Sequence, residues 1–346
     1  MYDLKLTYFI SKLSGLWLFN KFNDIDYWYL IESIIVRLLE MLHIIMEIYR
    51  LASLSNLNKK NLILNIIFIL KSVVNNLMNL LHIYSQFRHE QLWKLLIFFK
   101  TRKTKYSDLV LVYNLVLLII ISVGIIISLI NNVDRYLNLI IFQFIIIQIV
   151  NFFNNLKIYQ FSMLMENLVI NLKDLNKEIK NFKKQLYLKL YYKFLIKKHD
   201  DIINQARLIN FVFSWQNLLL CLTSITGFIA NLYNLCISIV TVNINISLSA
   251  VTVILFIIYY IGNILTVVYW CENFRNQVEI FNDQLFQFAS ERAFRGNQDN
   301  DLQFYAAQMR NVTFTAAGYL HLGYPLITSI TGSSLTLVAI VVQFTF

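Results

Sequence analysis

The chain has 346 residues, 58% of them hydrophobic and only 14% charged, with a mean hydropathy of +0.57 and a formal net charge of +10. So little charge over this length excludes an ordinary soluble domain and indicates a polytopic membrane protein. Backbone polar groups in lipid need internal partners, so the expected fold is all-α, with helices of about 20 residues crossing a hydrocarbon core of about 30 Å.

An N-terminal arm, residues 1–26, carries Lys5 and Lys12 but no sustained apolar core and no small-residue cleavage site, so no removed signal peptide is expected. Seven apolar runs follow, at about 27–52, 61–85, 109–131, 136–158, 208–233, 249–271 and 325–345. Glu32, Arg37, Glu40, Glu47 and Arg50 interrupt the first. Arg37 with Glu40, and Glu47 with Arg50, stand three apart and can pair on one helix face, which suits a bundle-facing or partly interfacial helix.

Placing the arm in the cytoplasm puts 24 of the 30 Lys and Arg on that side and only Lys59, Lys60 and Arg135 in outside connections. The positive-inside rule then sets the N-terminus inside and the C-terminus outside. Cytoplasmic-face charge accounts for the basic balance, and no nucleic-acid partner is needed. Asn245-Ile246-Ser247 is a glycosylation acceptor in an outside loop, in agreement with this topology, whereas Asn311-Val312-Thr313 falls inside.

The cytoplasmic connections have helical periodicity. Phe161, Leu164, Leu168, Leu172, Leu175, Ile179 and Phe182 recur every three or four positions, so the fourth helix should continue into the cytosol as an amphipathic stalk. After the sixth span, Phe274, Val278, Phe281, Leu285 and Phe288 form a two-heptad seam suited to packing against other helices. A polar break is expected over 290–301, and a short helix over 302–315 before the last span. The units are the arm (1–26), transmembrane helices one to four (27–158) and cytoplasmic extensions of helices four and five (159–207). Transmembrane helices five and six (208–271), cytoplasmic anchor helices (272–316) and the final helix (325–346) complete them.

The final helix is the most informative segment. Thr336 opens an apolar run, Gln343 closes it, and the chain stops at the expected outer surface. A glutamine at the end of a lipid-embedded helix is costly unless it faces water or a partner, so a pore lining is the first expectation. Seven helices with the N-terminus inside reverse the G-protein-coupled receptor topology, and the last span has no Asn-Pro-x-x-Tyr. With one proline, Pro325, and eight glycines, the chain also lacks the paired broken helices of transporters.

The chain resembles the insect gustatory receptor family, related to the insect odorant receptors. The family's terminal signature is Thr-Tyr, five apolar residues and Gln-Phe; Thr336, the run Val338 to Val342, Gln343 and Phe344 match it, with Leu337 in place of the Tyr. Phe314-Thr315-Ala316-Ala317-Gly318-Tyr319, Leu326-Ile327 and Gly332 are similar to the family's approach to that signature. The stretch from His199 through Asn210 into Phe213-Ser214, and Gly15-Leu16-Trp17 near the start, carry further likeness. Resemblance is strongest from about residue 195 onward.

The resemblance implies a chemosensory, ligand-gated, non-selective cation channel in the plasma membrane of a sensory neuron dendrite. It further implies a homo- or heterotetramer around one pore, a cytoplasmic anchor domain and a split seventh helix whose second part lines that pore. Ile340 and Phe344 fall at the outer constriction and Gln343 on the ion path. Ile340 stands three residues from Gln343 and four from Phe344, so all three can share a face. A small tastant or odorant is expected in the outer half of the bundle, where Lys71, Gln143, Thr226, Thr252, Tyr259 and Tyr260 are the polar and aromatic candidates. The alternative is a non-conducting receptor or a tuning subunit that requires a co-receptor.

Enzymatic chemistry has no constellation to rest on. The five histidines are scattered, no His-Glu-x-x-His or Cys-x-x-Cys spacing exists, and the three cysteines form no disulfide framework. No cofactor or metal is expected.

Overall fold

A computed structural model describes residues 137–182, 189–241, 248–294, 300–308 and 311–345, together with isolated helical positions between 34 and 123. Three long helices dominate: α1 (Leu137–Phe182), α2 (Lys189–Thr241) and α3 (Leu248–Phe294). A short helix α4 (Asn300–Ala307), a hairpin of β1 (Thr315–Ala316) and β2 (Leu320–His321), and the final helix α5 (Tyr324–Thr345) follow. Among the described residues, three helical segments are long and apolar enough to cross a membrane: Tyr192–Cys236, Ala250–Phe294 and Tyr324–Gln343.

The stalk periodicity becomes burial. Phe161, Leu164, Leu168, Leu172 and Leu175 on α1 are all at most 1% exposed. They meet the seam on α3, where Phe274, Val278 and Phe281 are equally enclosed, and Ile203, Ala206 and Ile209 on α2. One apolar stripe per helix, each turned to the same axis, joins the three into a single core. The charged positions between those stripes, Lys173, Lys177 and Lys180, lie exposed on the outside. Asn176 ties α1 to α3 through its Nδ2, which donates to the Gln277 carbonyl at 3.1 Å.

Two local expectations need correction. Helix α3 continues a turn beyond Ser290 to Phe294, because Arg292 lies over the Tyr192 and Phe288 rings and gives that turn a packing surface. The helix expected over 302–315 spans only Asn300–Ala307. Beyond it the chain is extended from Asn311 to Phe314 and enters the hairpin, in which Thr315 faces His321 and Ala316 faces Leu320.

The hairpin turn has a backbone no helix can share. Ala317 has φ 52° and Gly318 φ 77°, and the Tyr319 amide donates to the Ala316 carbonyl at 3.0 Å. Positive φ at both central residues gives the turn a type I′ shape within a three-residue loop, Ala317 to Tyr319, and glycine supplies it without strain.

Candidate functional site

Helix α5 packs against α2 and α3 along one side only. Ser334 and Val338, one turn apart, are buried at 1% and 4%. On the opposite side Ser329, Ser333, Thr336, Ile340 and Gln343 are all exposed, at spacings of three or four that place them along one stripe. Thr336 satisfies its hydroxyl within the helix, donating to the Gly332 carbonyl at 3.0 Å. Gln343 is exposed near the end of the helix, where its amide can meet water or another chain. Leu337, which replaces the family Tyr, is 45% exposed and makes no ring contact. The backbone of Phe344 is helical, and its side chain lies outside the described residues.

The hairpin holds the root of α5 in place. Asn210 Oδ1 on α2 accepts from the Thr315 amide at 3.1 Å, and the Ser214 hydroxyl donates to the Thr315 carbonyl at 3.1 Å. The Ala317 amide donates to both Ser214 Oγ at 2.7 Å and the Ser214 carbonyl at 3.1 Å. Phe314 sets its ring edge-on to Phe274 of α3, with centroids 5.5 Å apart. The motif fragments noted at Asn210, Ser214 and Phe314 to Tyr319, more than 100 residues apart in sequence, therefore meet in one joint.

The expected ligand residues divide. Lys71 and Asn245 lie outside the described residues, and only the backbone of Gln143, within α1, is described. Thr226 is half-buried and donates to the Leu222 and Thr223 carbonyls, which leaves it occupied within its own helix. Thr252 is half-buried near the start of α3. Tyr259 and Tyr260 are buried side by side, with ring centroids 5.2 Å apart. The Tyr259 hydroxyl donates to Asn155 Oδ1 at 2.8 Å, linking α3 to α1. Tyr260 presses on α2 where Gly227 leaves room: a Cβ there would come within 2.6 Å of the ring.

Around these tyrosines lies a group of residues that sequence reasoning missed. Asn151 and Asn154 of α1, Thr223 and Ser224 of α2, and Asn263 of α3 line a cavity of about 10 Å³ beside the two tyrosines. A second cavity of similar size lies between Asn154, Lys157, Gln216 and Asn217. Asn151 Nδ2, Ser224 Oγ and Asn263 Oδ1 are buried and without a hydrogen-bonding partner among the described residues. A donor, a hydroxyl and an acceptor from three helices thus converge on a space the size of one water, a neutral hydrogen-bonding environment. Its sequence signal is the recurrence of asparagine within apolar runs, which has no single helical period.

The geometry defines a class: a multi-pass helical membrane protein whose last span is rooted on two long helices and leaves a polar stripe uncovered. The family model for the 7tm chemosensory receptors matches residues 60–346, and the chain belongs to that family. Its fold is shared with the insect olfactory receptor OR5 from Machilis hrabei in complex with eugenol. That match has TM-score 0.74 and 14% identity, and covers 99% of this chain and 98% of the other. A second structure of the same receptor gives TM-score 0.73 at 13% identity over the same shares. No curated protein matches this chain in sequence. The family resemblance read from the terminal motif is thereby borne out, and at this identity the structural likeness establishes the fold.

Proposed function

We propose that the chain is a chemosensory receptor that conducts cations non-selectively when a small tastant or odorant binds, with four α5 helices around one pore. The observation that carries this reading is the exposed stripe on α5. Only 11% of the most apolar 18-residue window of that span is buried inside the chain, and Ser329, Ser333 and Gln343 lie on its open face. Polar groups on a membrane span face water or a partner, because lipid offers them no hydrogen bond. A fourfold arrangement supplies both: neighbouring copies cover the flanks of the helix, and the stripe meets an aqueous path.

In this reading Ile340 and Phe344 form the hydrophobic constriction that stops ions by dewetting, and a ring of Gln343 amides contacts partly hydrated cations when the pore opens. The N-terminus is cytoplasmic, the C-terminus extracellular, and the lower halves of α1, α2 and α3 with α4 form the cytoplasmic anchor of a homo- or heterotetramer. The plasma membrane of a sensory neuron is the expected location. The ligand is a small molecule, and the neutral polar cluster of Asn151, Ser224 and Asn263, which encloses a water-sized space, lies beside the place proposed for it. A solved relative of the same fold holds eugenol, which supports a small organic ligand for this chain.

Whole-cell recording with the chain expressed alone, against a panel of tastants and odorants, tests the proposal. A ligand-evoked cation current that changes its selectivity or closed-state leak in Gln343→Ala and Phe344→Ala supports it. Unchanged conductance, selectivity and leak in both variants would overturn the pore assignment. Current that appears only with a co-expressed receptor assigns the chain as a tuning subunit.

A further inference from the structure

Glu272 is a buried carboxylate, 3% exposed, on α3 where that helix passes the root of α5. Its Oε2 stands 2.6 Å from Arg275 Nη2, one turn further along α3. Its Oε1 accepts from the amide of Tyr324, the first residue of α5, at 3.4 Å. The first turn of a helix leaves its amides without intrahelical partners, and here the need is reduced to few groups. Pro325 has no amide hydrogen, and the Leu326 amide donates to the Gly323 carbonyl at 3.0 Å. The Tyr324 amide is the group that remains, and Glu272 takes it.

Charge reinforces this contact. The N-terminus of a helix carries a partial positive charge, so an anion placed there is held by the dipole as well as by the hydrogen bond. Arg275, half exposed, neutralises the other carboxylate oxygen and makes burial of the acid tolerable. The backbone is shaped to admit the carboxylate: a Cβ at Gly323 would lie 2.7 Å from Glu272 Oε1. A glycine before Tyr324 is therefore a requirement of the contact.

The same unbroken helix that carries Glu272 carries Tyr259, Tyr260 and Asn263 higher up. Tyr259 and Glu272 are 13 residues apart, about 20 Å along the axis at 1.5 Å per residue. Since α3 has no break between them, a shift of α3 at the polar cluster arrives at Glu272 as a shift of the whole helix.

Resting on the channel reading above, we propose that Glu272 is the positioning residue that couples α3 to the last helix. Its carboxylate holds the N-terminus of α5, so that movement of α3 at the ligand site displaces the root of the pore-lining helix. Asn210 and Ser214 hold the preceding hairpin to α2, and Glu272 supplies the connection to α3.

Full-length protein in lipid nanodiscs and in vesicles provides the test, through hydrogen exchange of the segment 320–330 and thallium flux. Three variants are compared with the parent: Glu272→Gln, which removes the charge, Gly323→Ala, which keeps the charge but displaces it, and Glu279→Gln as control. Glu279 is the exposed second neighbour of Arg275, at 3.7 Å. Exchange at 324–328 is expected to rise about tenfold in both Glu272→Gln and Gly323→Ala, with 300–307 and the centre of α3 unchanged. Ligand-independent flux per tetramer is expected to change about threefold in the same two variants and not in the control.

Unchanged exchange at 324–328 in Gly323→Ala overturns the proposal, and so does faster exchange in both variants with the parent's flux. Faster exchange throughout α3 also overturns it, because that marks a residue that merely supports folding. Exchange needs no current, so failure of the latch and failure of the channel reading are distinguishable: a parent that gives neither basal nor ligand-evoked flux, alone or with a co-expressed receptor, removes only the latter.

Discussion

The lower halves of α1, α2 and α3 and the final helix α5 both carry apolar stripes, yet they treat them in opposite ways. In the three-helix region the apolar stripes face one another, and Phe161, Leu168, Phe274 and Phe281 are sealed within one chain. In α5 one narrow side is sealed, by Ser334 and Val338, and Leu335, Leu337 and Ile340 remain between 44% and 51% exposed. The first region is finished as a core; the second leaves most of its surface open, which the proposed tetramer would cover with lipid and other copies. Stability of the single chain therefore resides in the first, and conduction is assigned to the second.

Three substitutions can break this contrast. Phe281→Ala should have the largest effect, since it empties a site where the ring stacks on His199 with centroids 4.0 Å apart. That ring in turn presents Nδ1 to the Tyr305 hydroxyl at 2.9 Å, and the hydroxyl donates to Asp200 Oδ1 at 2.7 Å. Loss of about 3–5 kcal/mol is expected, read as a fall in the melting temperature of the purified protein. A variant that melts with the parent would show that this region is not the chain's stabilising core.

Gly227→Ala should come next. Its new Cβ collides with the Tyr260 ring, and overpacking of this kind costs about 1–3 kcal/mol while pushing the ring toward the polar cluster. Ligand concentration–response curves should shift together with the melting temperature; a shift in neither would disconnect Tyr260 from both roles. Ile340→Ala should have the smallest effect on folding, within about 0.5 kcal/mol, because its side chain has few neighbours in the chain. The same variant should raise closed-state leak in vesicle flux, and a destabilisation matching that of Phe281→Ala would erase the distinction between the two regions.

Hydrophobic content, the positions of the apolar runs and the stalk and seam periodicities were legible because each depends on residues close together in sequence. Burial at Phe161 to Ile179 and at Phe274 to Leu285 follows that local pattern closely. The terminal motif was legible as well, since polar residues at the end of an apolar helix are costly wherever the helix packs. The hairpin was not: Thr315 to His321 has too few residues for a strand period, and its turn takes shape from Asn210 and Ser214, over 100 positions away. The polar cluster was hidden for the same reason, as Asn151, Ser224 and Asn263 each look like isolated interruptions until three helices meet.

By itself, then, the sequence determined that this is a helical membrane protein, which stripes its helices bury, and that the apolar run of its last helix is bounded by Thr336 and Gln343. Helical periodicity and the cost of polar groups in lipid act locally, so they can be read without coordinates. Only the tertiary structure decided that α5 is rooted on two helices at once, through Ser214 on α2 and Glu272 on α3, and that asparagines from separate spans share one cavity. Those contacts join residues from 52 to more than 100 positions apart, and their register depends on how three long helices pack along one axis.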